Sequence, residues 1–172
     1  MRMEMVDVYT MEGEPTGRTC RTDALAPGDW VRHAVVIIRD GLGRYVLQQR
    51  SLKARFFAGK WDVTGGGVQA GETPAQAAAR EAGEELGIAL DAEALVSLYR
   101  YRADYGNGRG AHVFVYGAAV APIEQLPAWN AYEVNDVRLC GFREFYEAVM
   151  YNKDEGFGEA LRRFEAERAS RG

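Results

Sequence analysis

Between Gly65 and Ile88 the chain carries a run of three glycines, a short polar stretch and a capped helix ending in three closely spaced glutamates, an order that leaves few ways to fold. Thr73-Pro74 predicts a helix start: a hydroxyl N-cap followed by a proline at N1, where its missing N–H costs nothing. Good helix formers follow through AQAAAREAGEEL, and Gly87 stands where a left-handed C′ residue is expected. At about 100° per residue, Ala75, Ala78, Ala79, Ala82 and Leu86 share one stripe, the face to bury. Glu81, Glu84 and Glu85 share a separate arc roughly 100° wide. Carboxylates at i, i+3 and i+4 repel one another and weaken the helix. A solvated acidic face normally interleaves lysines at i+4, but Glu81 meets Glu85 there, and no lysine occurs between Lys60 and Lys153. Such a ridge asks for a divalent hard cation, Mg²⁺ or Mn²⁺, which leaves sites open for water and phosphate oxygens.

Gly66 is followed after five residues by Glu72, after seven more by Arg80-Glu81, then by Glu84-Glu85 and Gly87. This stretch, Gly66–Ile88, resembles the Nudix box, with Ala82 and Ile88 in its apolar positions. The resemblance implies an α+β Nudix fold, a mixed β-sheet sandwiched between α-helices, and metal-dependent hydrolysis of a diphosphate linked to another moiety. It implies Glu81, Glu84 and Glu85 as metal ligands together with the Gly65 carbonyl. Glu72 and Arg80 are implied as a pair that orients the loop and helix, with Gly66 and Gly87 as structural glycines. A general base is also wanted. Glu81 could double in that role; Glu133, in the loop 130–136, reads equally as a base or as a solvated carboxylate, and Asp136 competes with it.

Substrate signals are thinner. Arg50-Ser51, Arg55 and Gly59 match part of the pattern of coenzyme A pyrophosphohydrolases, but VLQQR and Val63-Thr64 depart from it. Tyr105 matches a one-residue marker of dinucleoside polyphosphate hydrolases. The loop 104–110, with Arg109 between glycines, reads either as a phosphate-side lid or as a hairpin tip. The best expectation is a small nucleoside diphosphate-type substrate bound through Arg50, Arg55, Tyr105 and Arg109. A non-catalytic sensor of the same fold is the competing class, and the intact carboxylates weigh against it. The stretch from His33 through VLQQR and GKWDVTGG also looks like the branch containing isopentenyl-diphosphate isomerases. Those enzymes need a cysteine and a histidine where Val63–Val68 has neither, so isomerase activity is disfavoured and His33 reads as a core or sheet-edge histidine.

At 172 residues and 47% hydrophobic content, one domain spanning 1–172 is expected, its first 30 residues a hairpin extension. A net charge of −4 argues against broad nucleic-acid affinity. Cys20 and Cys140 suggest neither a disulfide framework nor a zinc site. With no apolar leader and no long apolar run, a cytoplasmic protein without membrane attachment is expected; a homodimer is a family-level expectation only. Strands are expected at Glu4–Tyr9, Thr19–Thr22, Val31–Arg39, Tyr45–Arg50, Leu95–Arg102, His112–Tyr116 and Val137–Cys140. Besides the central helix, helices are expected near Phe142–Tyr151 and Gly158–Ala169.

Overall fold

The computed structural model describes residues 4–170; residues 1–3 and 171–172, the two ends of the expected 1–172 domain, lie outside it. Strands β1 (Met5–Tyr9) and β2 (Pro15–Arg21) form the expected N-terminal hairpin. They are followed by β3 (Trp30–Asp40), β4 (Tyr45–Arg50), the short β5 (Trp61–Asp62), β6 (Thr64–Gly67) and helix α1 (Pro74–Leu86). Then come β7 (Val96–Gly106), β8 (Arg109–Val120), β9 (Val134–Cys140), helix α2 (Phe142–Val149) and helix α3 (Glu155–Ala169).

The axis of this mixed sheet is β3. It pairs in parallel with β8 along its whole length and antiparallel with β6 from His33 to Val36. Its ends touch β1 at Trp30 and β4 at Arg39. The run AVVII explains this position, because a strand buried on both faces needs a continuous apolar sequence. Alternate residues serve two cores. Ala34, Val36 and Ile38 pack against Ala77, Ala78, Ala82 and Leu86 of α1. On the opposite face Ile37, Tyr45, Leu47 and Val115 pack against Phe145 and Val149 of α2 and Phe157, Leu161 and Phe164 of α3. The sheet is thus covered by helices on both faces.

Several boundaries differ from expectation for identifiable reasons. The glycines 65–67, given no strand by their sequence, belong to the strand Thr64–Gly67 laid against β3. Strand β9 begins at Val134 rather than Val137, so Asp136 lies within a strand and only Glu133 remains in the loop. The second helix stops at Val149 and continues as a 3-10 turn through Asn152. The last helix starts three residues early, because the Asp154 carboxylate caps the Phe157 amide at 2.8 Å. Asp40, fully buried, closes the β3–β4 turn by accepting from the Leu42 and Arg44 amides and the Arg44 guanidinium, and it reaches across to the Ile123 amide.

Candidate active site

Helix α1 is positioned by its two ends. Thr73 accepts from the Gln76 amide at 3.2 Å while the Gln76 side chain accepts from the Thr73 amide at 2.9 Å, a complete capping box. At the other end Gly87 adopts φ +66, the left-handed conformation expected there. The buried face is rotated from the anticipated stripe. Ala77 is fully buried in place of Ala75 and Ala79, which are only half-buried, and Glu81 and Glu85 are buried too, at 7% and 8% exposure. The carboxylate ridge therefore faces the glycine strand rather than open solvent, and only Glu84 stays exposed.

The glycines make this approach feasible. A Cβ on Gly66 would land on the Glu81 carboxylate, and one on Gly65 would strike the backbone of Ala34 and Val35. Arg80 then locks strand, loop and helix together. It donates to Glu72 at 2.9 and 3.1 Å, to the Gly67 carbonyl at 2.9 Å and to Glu81 at 2.7 Å, with Glu84 at 3.5 Å. The expected Glu72–Arg80 pair is present, and Arg80 also offsets part of the ridge that the sequence left without a lysine. Burial opposes the charge of Arg80, but its bonds to Glu72 and Glu81 hold the guanidinium protonated.

Glu85 lies deeper. Burial, with Glu81 and Glu133 nearby, pushes its carboxyl up to about 8, opposed by the Gly65 amide and the Arg50 charge. Glu81 is also raised by burial, against the pull of Arg80. Gln48 of β4, which pattern reading missed, donates to Glu85 at 3.0 Å and to the Val63 carbonyl at 3.1 Å. A polar residue inside the buried strand YVLQ was the available signal. The Gln48 Oε1 and Thr64 Oγ1 atoms are buried without a hydrogen-bond partner.

As the side chains stand, no three His, Cys, Asp or Glu residues among those described are gathered tightly enough to hold an ion. Arg80 occupies Glu81, and Gln48 occupies Glu85. The donor set nonetheless suits a hard divalent cation: it is all oxygen, and the buried Glu85 carboxyl, which holds its proton up to about pH 8, lies beside the acidic Glu81 and Glu133. Glu133 lies close enough to act on Glu85, and its carbonyl accepts from the Ser51 amide at 3.0 Å. The Asp136 carboxylate instead accepts from the Val137 amide.

The remaining candidates are dispersed. Arg50 donates to the Phe56 carbonyl at 3.1 Å, and exposed Arg55 lies over the Phe56 ring. Together they shape the loop 51–60 at the edge of the carboxylate centre. Tyr105 contacts His33 at 3.3 Å, with the imidazole pushed down to about 4 by its apolar surroundings and so neutral. The segment 104–110 is a hairpin tip: Gly106 pairs with Arg109, Asn107 and Gly108 take positive φ, and the Trp30 indole donates to the Gly108 carbonyl at 2.9 Å. Of the two readings of this segment, the hairpin tip is the geometry present. Sequence reading also passed over Asp62, which is buried where Tyr151 and Lys153 donate to it at 2.8 and 3.1 Å.

A mixed sheet between helices, with a glycine strand facing a carboxylate-bearing helix, defines a protein built to present clustered acidic oxygens beside a bare backbone. The sequence model of the NUDIX domain matches residues 29–164, and the chain belongs to the Nudix family. A Nudix hydrolase of Rhodococcus erythropolis is 42% identical over 87 residues, a match spanning 49% of this chain and 47% of the relative, so the chain spans about half of that relative's length. One from Streptomyces coelicolor is 34% identical over 136 residues, 75% of this chain and 74% of the relative. Among solved structures, a Caenorhabditis elegans Ap4A hydrolase covers 81% of this chain and 98% of its own at 23% identity and TM-score 0.63. The NUDIX domain of Shewanella oneidensis NrtR complexed with ADP ribose covers 83% and 92% at 15% identity and TM-score 0.63. These two likenesses concern the fold alone.

Proposed function

We propose that the chain hydrolyses the pyrophosphate bond of a small nucleoside diphosphate linked to another moiety, with Mg²⁺ or Mn²⁺ as cofactor. The observation that carries this reading is the burial of Glu81 and Glu85 against the glycine strand, where burial and the neighbouring acids raise Glu85 to about 8. Glu81, Glu84, Glu85 and the Gly65 carbonyl would hold the cation. When bound, it neutralises phosphate oxygens and lowers the pKa of coordinated water. Arg80 keeps Glu72, Glu81 and the Gly67 carbonyl in one rigid unit, so the ligand oxygens are positioned before substrate arrives. Glu133, on the loop beside Glu85, is the preferred general base, ahead of Asp136, whose carboxylate is engaged by its own strand. Arg50, whose charge reaches Glu85, would meet a phosphate oxygen of the substrate.

The moiety beyond the diphosphate is the open variable. Relatives of this fold include an Ap4A hydrolase and a domain that binds ADP ribose, so nucleotide diphosphates head the panel. Purified protein incubated with nucleoside triphosphates, ADP-ribose, dinucleoside polyphosphates and coenzyme A should release phosphate-containing products in Mg²⁺ or Mn²⁺ and none in chelator. Inertness towards every compound would overturn the reading, and binding without turnover would assign the chain to the sensor class.

A further inference from the structure

The face of the sheet that carries α1 is not covered to its end. Beyond Ala34, Arg32 of β3, His112 of β8 and Arg102 of β7 stand side by side across three strands, and Phe114 and Arg100 form the next rank. They line an open cavity of about 360 Å³, bounded at one side by Glu12 of the β1–β2 turn. Aromatic rings hold the guanidiniums in place. The Arg32 Cζ lies 3.9 Å from the Tyr9 ring centre and 5.5 Å from that of Phe114, and Arg100 lies 4.5 Å from Phe114. Stacking of this kind fixes the planar group while leaving N–H donors free for an acceptor. His112 is fixed by its Nε2 contact to the Thr10 carbonyl at 2.9 Å.

What the arginines lack is a carboxylate bonded to them, although Glu12 stands at the rim. Among the described residues, none of Arg32, Arg100 and Arg102 makes an ion pair or a side-chain hydrogen bond, and the Arg32 Nε is buried without an acceptor. Of the acids at hand, Glu12 at the rim makes no ion pair with these arginines among the described residues, and Asp7 is engaged by the Gly71 amide and the Thr19 hydroxyl; these bonds, with some help from Arg32, hold Asp7 below the usual carboxylate range. Three like charges converging in a chain of net charge −4 are self-repelling unless a ligand neutralises them.

We propose that this pocket binds the polyphosphate group of a small molecule at a site separate from the box carboxylates. Polyphosphate oxygens offer several negative charges and many acceptors within the span of three guanidiniums. The concave shape and small volume suit a compact ligand, whereas a nucleic-acid strand would need a longer basic track.

The test is calorimetric titration of the full chain with inorganic tripolyphosphate and, separately, ATP, in chelator and low salt, so that no divalent metal can recruit phosphate to the glutamates. One-to-one binding that weakens with added salt is expected. Arg100 and Arg102 are exposed, so the double variant Arg100→Gln with Arg102→Gln should keep its circular dichroism spectrum and lose about tenfold or more in affinity. Glu84→Gln with Glu85→Gln should bind as the parent does, which separates this site from the proposed catalytic centre. Equal affinity for the two ligands assigns the pocket to phosphate alone, and tighter ATP binding assigns it to a nucleotide. Amide NMR shifts centred on residues 100, 102 and 112 locate the site independently. Absence of binding at millimolar tripolyphosphate, indifference to the arginine changes, loss of binding in the glutamate variant, or competition only by an oligonucleotide overturns the proposal.

Discussion

Glu85 sits beside Glu81 and Glu133 with most of its water removed, and its folded pKa of about 8 lies above the ordinary glutamate value of 4.5. A raised value means that the folded state holds the proton more tightly than the unfolded chain. The associated stability is therefore complete below about pH 4.5 and is lost as pH rises towards 8. Glu85→Gln removes this dependence. In chelator at pH 8 the variant should melt a few degrees higher than the parent, while its hydrolysis in Mg²⁺ falls by about 10²-fold or more. Thermal scans at pH 6 and pH 8 check this, and a variant no more stable than its parent at pH 8 would refute the electrostatic account. Gly66→Ala tests the same geometry from the strand side. The added methyl group meets the Glu81 carboxylate, so activity should collapse with the sheet signal intact, as read by turnover and circular dichroism.

For single elements, α1 was the most readable part of the chain, because its start and stop depend on neighbours in sequence: Thr73, Pro74 and Gly87. Its capping box should contribute about 1 kcal/mol, so Thr73→Ala should lower the urea midpoint by a corresponding amount, with KM little changed. A shift in KM matching the fall in stability would mean that the cap also tunes the site. The face that α1 buries was less readable. Ala75, Ala78, Ala79, Ala82 and Leu86 share a stripe by periodicity, yet the helix turns so that Ala77, Glu81 and Glu85 go inward. Helical spacing alone ranks alanine above glutamate for burial; here a sheet stripped to glycine accepts the carboxylates. The start of α3 was hidden for a related reason. Gly156 and Gly158 lower helix propensity in its first turn, and the Asp154 cap together with the buried Phe157 and Leu161 overrides it.

Across the whole molecule, Asp40 ties the β3–β4 turn to the segment after β8 through the Ile123 amide. Burial opposes its ionisation, but bonds from Arg44 and three amides win, so its folded pKa lies below the ordinary 3.8. A lowered value contributes stability above about pH 3.8 that vanishes as pH falls through the folded pKa. Asp40→Asn should therefore destabilise by about 1–3 kcal/mol at neutral pH, and the gap should close in acid. Denaturant titrations at pH 7 and pH 3 measure it, and an unchanged gap would refute the assignment. Divalent metal with a non-hydrolysable phosphorylated ligand should raise the melting temperature of the parent through binding linkage, and should do so far less in Glu84→Gln.

Local order along the chain determined the box, its capped helix and which glutamates are the candidate ligands, since spacing and caps act over a few residues. The two-sided burial of β3 was also announced by its unbroken apolar run. Tertiary packing decided what no local pattern encodes. It brought Gln48 against Glu85, set Gly66 where Glu81 needs the space, and placed Arg80 across strand, loop and helix. It also joined Arg32 of β3 with Arg100 and Arg102 of β7 in one pocket. The physical reason is that parallel pairing of β3 with β8 aligns segments about 80 residues apart. Contacts made at that separation depend on register and burial of the whole sheet.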